Sequence, residues 1–311
     1  MNPENKKTFT ALAFSLLACL IWASNNVVAR GIIDFIDPVS IAFWRFVIAF
    51  IVLTPFIIKN FRKNFAILKQ NPRIIIWMGI TAITLKNILY YTSAHFTSVN
   101  NIALLGTTSL IWTAIIGALT GLETLNRNKV IGIFTAAIGA LAIILKGNFS
   151  SLLHMDFNTG DLIILAAEFI WGIYTILLKL KPKEMDQIFM FSAMIFFGLI
   201  GLLPLYLTKI YFIGIEPVTA NTIYVYLYVG IAASVVSWLC YNYSVFAIGP
   251  VRTSIVLYLL PVFSAAMGYF FLGENIYSFH ITGFILIVCG IFISNLNVIP
   301  AKAGIQQRGF K

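Results

Sequence analysis

Residues 188–208 read IFMFSAMIFFGLIGLLPLYLT, a stretch without a charged side chain. A helix that crosses a bilayer needs about 20 mostly apolar residues, so this stretch predicts a membrane span. Similar apolar stretches recur along the chain and predict nine further spans. We therefore expect an all-α integral membrane protein with ten transmembrane helices, at residues 8–29, 38–58, 73–93, 99–119, 129–146, 160–180, 188–208, 221–246, 251–271 and 278–296.

The composition of the 311 residues supports this prediction. Hydrophobic residues make up 60% of the chain, charged residues make up 10%, and the mean hydropathy is +0.92. A soluble domain is typically about 45–50% apolar and about 25% charged, and it cannot hide so much apolar surface from water. The composition excludes a cytosolic enzyme, a disordered chain and a nucleic-acid-binding protein. The sequence predicts no metal site and no cofactor.

The basic residues predict how the spans are oriented. With the N-terminus in the cytoplasm, sixteen of the 21 Lys and Arg residues fall on the cytoplasmic side, three fall outside and two remain within spans. Short cytoplasmic loops carry such an excess of positive charge. The net charge of +10 is therefore a topology signal. We expect a multi-pass protein of a bacterial inner membrane with both termini in the cytoplasm.

The two halves of the sequence resemble each other at offsets of 149 and 151 residues. The matches are Trp22 with Trp171, Arg30 with Lys179, Asp37 with Asp186, Pro55 with Pro204, Gly117 with Gly268, Glu123 with Glu274, Gly132 with Gly283, and Gly139 with Gly290. They predict two repeats of five spans, 8–146 and 160–296, followed by a disordered cytoplasmic tail at 297–311. Because five is odd, the second repeat must be inverted in the membrane, as in many secondary transporters.

Short motifs within these repeats resemble the EamA-type branch of the drug/metabolite transporter superfamily. The motifs are Phe271-Leu272-Gly273-Glu274 with Gly283 and Gly290, Gly121-Leu122-Glu123 with Gly132 and Gly139, Ile21-Trp22-Ala23-Ser24, and Phe43-Trp44-Arg45-Phe46. The resemblance covers residues of about 8–296. It implies a ten-helix, exporter-like carrier of small metabolites, often amino acids or related amines. One departure from symmetry is that Met194 stands at the position equivalent to Arg45.

Three ionisable side chains lie well inside predicted spans: Arg45, Lys86 and Glu168. Such groups are costly in a membrane and are functional candidates for that reason. Each lies about seven residues from the outer end of its span, hence roughly 10 Å below the outer surface at about 1.5 Å per residue. In the functional interpretation, Lys86 or Arg45 binds a substrate carboxylate and Glu168 meets an amine or a proton. In the structural one, they form an ion pair, or Arg45 reaches out to Asp34 or Asp37.

Helical spacing places polar and aromatic side chains beside these charges, as expected of a pocket for amphiphilic metabolites. A cation–π contact of Lys86 with a nearby ring is one expectation. The tryptophans could instead be interfacial anchors. The predicted substrate-binding residues are Trp22, Asn25, Asn26, Lys86, Tyr90, Thr108, Trp112, Glu168, Trp171, Thr175, Tyr241 and Tyr258, with Glu168 also the candidate for proton coupling.

Four residues, one of them Arg45, are predicted to have structural or gating roles. Pro261 should kink the ninth span because proline lacks an N–H group and its ring clashes with the preceding turn. Glu123 and Glu274 lie just before the fifth and tenth spans, where a carboxylate can cap free N–H groups at a helix start. Arg45 is the fourth, as the alternative to a substrate contact.

These observations predict a secondary active transporter and no enzyme activity. We expect a proton- or gradient-linked exporter of small metabolites such as amino acids, working by alternating access as one repeat rocks against the other. The alternative is an importer or exchanger of a nucleotide-like or other anionic metabolite. An intramembrane enzyme is disfavoured because the spans contain no spaced catalytic His, Asp or Ser set. The partners are a small-molecule substrate and the bilayer, and a monomer and a homodimer are both open.

Overall fold

The computed structural model describes residues 3–32, 36–97, 99–154, 158–215, 219–273 and 275–296. Within these residues, ten helices are long and apolar enough to cross a membrane, which confirms the predicted number. The largest shift of an end is in span 7, predicted to end at 208 and observed to run to Ile213. Spans 1 to 10 are Glu4–Asn25, Pro38–Ile57, Pro72–Tyr90, Asn101–Leu119, Arg127–Ile144, Thr159–Leu180, Gln187–Ile213, Ala220–Ile248, Pro250–Phe271 and Ser278–Asn295.

Spans 3 and 8 contain a π-helical segment at equivalent positions of the two repeats. The helix of span 3 consists of Pro72–Gly79, the π-helical Ile80–Leu85 and Lys86–Ala94, so it continues four residues beyond the span. Span 8 consists of Ala220–Gly230, the π-helical Ile231–Val236 and Ser237–Ile248. A π-helical turn breaks the regular i→i−4 pattern and is frequent at functional sites. The equivalent placement of both segments supports the internal repeat.

Spans 4 and 9 are each interrupted near their middle. Span 4 is divided into Val99–Gly106 and Ser109–Leu119, and span 9 into Pro250–Val256, the 3₁₀ turn Leu257–Leu259 and Leu260–Leu272. The break in span 9 comes directly before Pro261, which lies in the first turn of the following segment. Proline is tolerated there because the N–H groups of a first helical turn have no intrahelical partner.

Spans 5 and 10 pack closely through glycines that the repeat relates to each other. A Cβ atom on Gly132 would lie 2.5 Å from the carbonyl oxygen of Gly290, and one on Gly139 would lie 2.6 Å from that of Gly283. The earlier glycine of one span therefore meets the later glycine of the other, so the two helices run antiparallel. Since these spans are equivalent members of the two repeats, the repeats are inverted relative to each other.

The two repeats interlock. Span 1 packs mainly on spans 8 and 9 of the second repeat, and span 6 packs mainly on spans 3 and 4 of the first. Spans 2 and 7 pack on each other, as do spans 5 and 10. We call spans 1, 8 and 9 bundle A and spans 3, 4 and 6 bundle B. Each bundle thus contains helices from both repeats.

Large apolar side chains cover the outward surface of the spans. Phe56, Phe134, Phe270 and Phe292 are each more than half exposed. In water this surface would be a severe aggregation liability, whereas in a bilayer it faces lipid chains of similar polarity. Shorter helices lie outside the spans at Ile58–Asn60, Phe61–Gln70 and Phe149–His154, and span 6 ends in the 3₁₀ turn Leu178–Leu180.

Candidate functional site

Lys86 and Glu168 form an ion pair between spans 3 and 6, inside bundle B. The ammonium of Lys86 donates to Oε1 of Glu168. Lys86 is the first residue after the π-helical segment of span 3. The Glu168 side chain is 7% exposed and that of Lys86 is 18% exposed. The predicted common depth of these two residues therefore corresponds to direct contact.

Tyr90 and Lys86 share one face of span 3, as the spacing predicts. The ammonium of Lys86 lies 5.6 Å from the centroid of the Tyr90 ring, within the range of a cation–π interaction. Tyr90 is 39% exposed. The ammonium is thus positioned between a carboxylate and an aromatic face, and it keeps some access to solvent or ligand.

Arg45 contacts span 8. Its Nε donates to Oγ of Ser234 at 2.8 Å, and its Nη2 donates to the carbonyl oxygen of Ala233 at 3.0 Å. Both acceptors belong to the π-helical segment of span 8. The Arg45 guanidinium also lies 5.2 Å from the centroid of the Phe46 ring. These contacts join span 2 to span 8, and the role of Arg45 stays a prediction.

An aromatic cluster fills the space between bundles A and B. The rings of the equivalent residues Trp22 and Trp171 are 6.1 Å apart and nearly perpendicular, and both pack against Trp238. Nε1 of Trp22 donates to the carbonyl oxygen of Ala233 at 3.1 Å, the same oxygen that Arg45 contacts. Trp22 and Trp171 therefore line the interface between the bundles, and the prediction from spacing missed Trp238.

Buried hydroxyl and amide groups form a second cluster about 10 Å along span 6 from Glu168, at about 1.5 Å per residue. Tyr174 donates to Oδ1 of Asn242 at 2.6 Å. The Tyr241 hydroxyl lies 3.2 Å from Oγ1 of Thr175 and 3.0 Å from Oγ of Ser254. Nδ2 of Asn242 is buried and has no hydrogen-bond partner among the described residues. A buried unpaired donor costs free energy, so Asn242 can donate a further hydrogen bond from this cluster to a ligand.

The breaks in spans 4 and 9 meet each other. The Tyr258 hydroxyl, in the 3₁₀ turn of span 9, donates to the carbonyl oxygen of Thr107 at 3.0 Å. Thr107 lies in the turn that divides span 4, and the hydroxyl of the adjacent Thr108 donates to Leu105 within the same turn. Tyr258 and Thr108 thus lie at a junction between bundles A and B. Tyr258 precedes Pro261 by three residues.

The remaining predicted binding residues have less specific surroundings. Trp112 packs edge-on against Phe169, with ring centroids 5.3 Å apart, and its Nε1 has no partner among the described residues. Asn25 is half-buried on span 1. The side chain of Asn26 lies outside the described residues.

Glu123 does not cap span 5, and the cap prediction is wrong for this residue. The N-cap is Asn126, whose side chain accepts from the backbone N of Lys129. Asn126 is nearer to the helix start, so Glu123 is free to accept from the ammonium of Lys129 at 2.9 Å and from that of Lys179 at 2.8 Å. Glu123 therefore joins the loop between spans 4 and 5 to the end of span 6. Glu274 lies outside the described residues.

Asp161 is a buried carboxylate that the sequence analysis missed. It accepts hydrogen bonds from Thr97 at 2.5 Å, from Asn101 at 3.1 Å and from the backbone N of Asn158 at 3.0 Å. The Asn158-x-x-Asp161 spacing is that of a capping box and could have indicated it. Asp161 ties the start of span 6 to span 4 and to the loop that precedes it. Glu123 ties the other end, so bundle B is braced at both ends.

The fold and these buried polar sites define a multi-pass membrane transporter. The chain belongs to the EamA-like transporter family. The sequence pattern of this family matches residues 9–145 and again residues 158–296. An "Uncharacterized transporter" of Archaeoglobus fulgidus is 26% identical over 93% of this chain and 98% of its own length. A "Probable amino-acid metabolite efflux pump" of Salmonella typhimurium is 23% identical over 90% of this chain and 93% of its own length.

The fold also matches a known structure. A solved crystal structure superposes with a TM-score of 0.76 at 16% sequence identity, covering 92% of this chain and 96% of its own. This similarity supports the fold alone. A small-molecule substrate and a location in a membrane follow from the family.

Proposed function

We propose that this chain is a secondary active transporter that exports small zwitterionic metabolites such as amino acids, with Lys86 and Glu168 as the substrate site. The ion pair between these residues, beside the aromatic cluster, carries the proposal. It agrees with the printed name of the Salmonella relative, an amino-acid metabolite efflux pump. We place the chain in a bacterial inner membrane with both termini in the cytoplasm.

The two charges of the Lys86–Glu168 ion pair favour a substrate that carries both a negative and a positive charge. A zwitterion can open the pair by offering its carboxylate to Lys86 and its ammonium to Glu168, so that neither buried charge loses a partner. A purely anionic ligand would leave Glu168 unpaired, and a purely cationic one would leave Lys86 unpaired. An uncompensated buried charge costs about 3–5 kcal/mol. This cost disfavours the nucleotide-like alternative, which depended on an excess of free positive charge.

Glu168 is also the proposed proton site. In the outward-facing state, a proton taken up by Glu168 neutralises the partner of the substrate ammonium, so the substrate is released outside. Release of that proton into the cytoplasm restores the carboxylate, which can then pair with Lys86 or bind the next substrate. The cycle then couples substrate export to proton entry.

The proposed alternating-access movement is a rocking of bundle A against bundle B. Span 1 packs on spans 8 and 9, and span 6 packs on spans 3 and 4. These mixed bundles are therefore more plausible moving bodies than the two repeats of the chain. Their shared interface contains the Trp22–Trp171 contact and the Tyr258–Thr107 hydrogen bond, which have to change during the cycle.

Flux into proteoliposomes tests the proposal. The substrates are leucine, its decarboxylated amine and the corresponding acid without the amine, measured with and without a pH gradient. We expect flux of the amino acid to exceed that of both analogues at least tenfold and to depend on the pH gradient.

Glu168→Gln should abolish the dependence of flux on the pH gradient, while Glu184→Gln, at an exposed loop carboxylate, should retain it. Unchanged flux in Glu168→Gln at every pH would refute the proton role. Counterflow confined to the acid would favour the anion-exchange alternative.

A further inference from the structure

The helix Phe61–Gln70, which we call the connecting helix, joins spans 2 and 3 and has one face fixed to the protein. Asn64 is buried on this face, and its Oδ1 accepts from the backbone N of Asp186 at 2.8 Å. Ile67 and Leu68 pack against the main hydrophobic core beside it. The connecting helix is therefore held against the start of span 7 in a defined orientation.

The other face carries an exposed aromatic stripe. Phe61 and Phe65 are 44% and 38% exposed, and their rings stack with centroids 5.4 Å apart. The ammonium of Lys69 lies 5.0 Å from the centroid of the Phe65 ring. The i, i+4 spacing aligns these three side chains on one side of the helix. An aromatic stripe ending in a cation is typical of helices that lie in a membrane interface.

Positive charge surrounds this stripe, and the neighbouring carboxylate of Asp186 is engaged as the N-cap of span 7. Arg62, Lys63, Lys69 and Arg73 are all exposed. The sequence contains no Asp or Glu from residue 38 to residue 122. Two shallow surface cavities flank the helix, one lined by Asn60, Phe61, Arg62 and Lys63 with Ile58, the other by Gln70, Asn71, Pro72, Arg73 and Ile74.

We propose that the connecting helix binds the headgroups of anionic phospholipids in the leaflet that it borders. The cations match the headgroup phosphate, and the exposed phenylalanines match the region where headgroups meet acyl chains. A free anion would use the cations but would gain nothing from the phenylalanines. The helix lies where two spans leave the bilayer, so the proposed ligand is adjacent to it. The proposal does not depend on the identity of the transported substrate.

Native mass spectrometry of the detergent-purified protein, titrated with phosphatidylglycerol or phosphatidylcholine of identical chains, tests this proposal. A basic residue near an anionic surface strengthens association about fivefold. Neutralising all four cations should therefore weaken phosphatidylglycerol binding by at least about 20-fold. A control that neutralises four exposed cations elsewhere should weaken it less than about threefold. The test variant is R62Q/K63Q/K69Q/R73Q, and the control is K6Q/K7Q/R127Q/K183Q.

Two further measurements complete the test. Phe61→Ala combined with Phe65→Ala keeps the charges, and it should weaken binding of phosphatidylglycerol several-fold. For the unmodified protein, raising ammonium acetate from 0.1 to 1 M shortens the screening length from about 10 Å to about 3 Å and should abolish the preference for phosphatidylglycerol. The proposal is overturned if the two lipids bind equally at low salt, if the preference survives at high salt, or if inorganic phosphate displaces phosphatidylglycerol.

Discussion

Removing the charge of Glu168 should destabilise the protein because it leaves the Lys86 ammonium without its partner. Glu168→Gln is nearly isosteric, so packing in span 6 is preserved and the loss is electrostatic. Breaking a fully buried pair costs about 3–5 kcal/mol. The Lys86 side chain is 18% exposed and gains some solvation, so we expect a cost of about 2–3 kcal/mol.

A double-mutant cycle separates this pairing from other effects. Lys86→Met should cost a similar amount, since it leaves the Glu168 carboxylate unpaired. The double variant contains no unpaired charge, so we expect its stability to lie within about 1 kcal/mol of the unmodified protein. The coupling free energy should then be at least about 3 kcal/mol, at the upper end of the range of about 0.5–3 kcal/mol found for contacting residues. Unfolding by sodium dodecyl sulfate in mixed micelles, followed by tryptophan fluorescence, measures all four proteins.

Additive costs in the double variant would refute the reasoning, because they would show that the two charges do not stabilise each other. A single variant Glu168→Gln with unchanged stability would refute it equally. The same cycle on Glu123 and Lys179 provides a reference pair, whose ammonium is more exposed and whose coupling should be smaller.

Three further predictions follow from the packing. Gly139→Val should lower the free energy of unfolding by about 1–3 kcal/mol in the detergent unfolding assay, because a Cβ there would lie 2.6 Å from the opposing backbone. In the same assay, Gly106→Ala should change the free energy of unfolding by less than about 1 kcal/mol, because the space around its Cβ position is open. Glu123→Gln should weaken the tie between the loop after span 4 and span 6, which hydrogen exchange would show as faster exchange in that loop; unchanged exchange would contradict it. Tyr258→Phe should alter transport rate while leaving substrate affinity within about twofold in proteoliposome kinetics, since its hydroxyl joins two helix breaks; a large loss of affinity alone would place it in the substrate site.

The number and limits of the spans could be predicted from sequence because a bilayer leaves few options. Every backbone polar group within it has to be paired, so apolar stretches of sufficient length become helices. The depth of Lys86 and Glu168 followed from counting residues along straight helices. The contact between these two residues agrees with the common level that counting predicts, because their spans neighbour each other in bundle B.

Counting residues along the spans could not predict which side chains contact each other. Arg45 lies at the predicted depth of Lys86, yet it contacts Ser234, because span 2 packs beside span 8. Neighbouring spans are set by interhelical packing, which a single sequence does not display. For the same reason, the contacts of Trp238 and Asn242 were not predicted. The cap prediction for Glu123 failed for a local reason, since Asn126 competes for the same N–H groups.

The charged site lies where the sequence departs from the symmetry of the fold. Lys86 and Ser237 are the first residues after the equivalent π-helical segments, and Glu168 and Cys19 each precede the equivalent tryptophans by three residues. The fold thus contains two equivalent positions, one in each bundle, and the ion pair occupies the one in bundle B. A symmetric carrier could place a substrate equally well on either bundle. In the proposed transport cycle, a substrate that opens the pair binds bundle B and meets bundle A without a second ion pair. Bundle A can then turn toward either side of the membrane. Such a turn would change the side from which the proposed site is accessible, and the charged contacts with bundle B would stay intact.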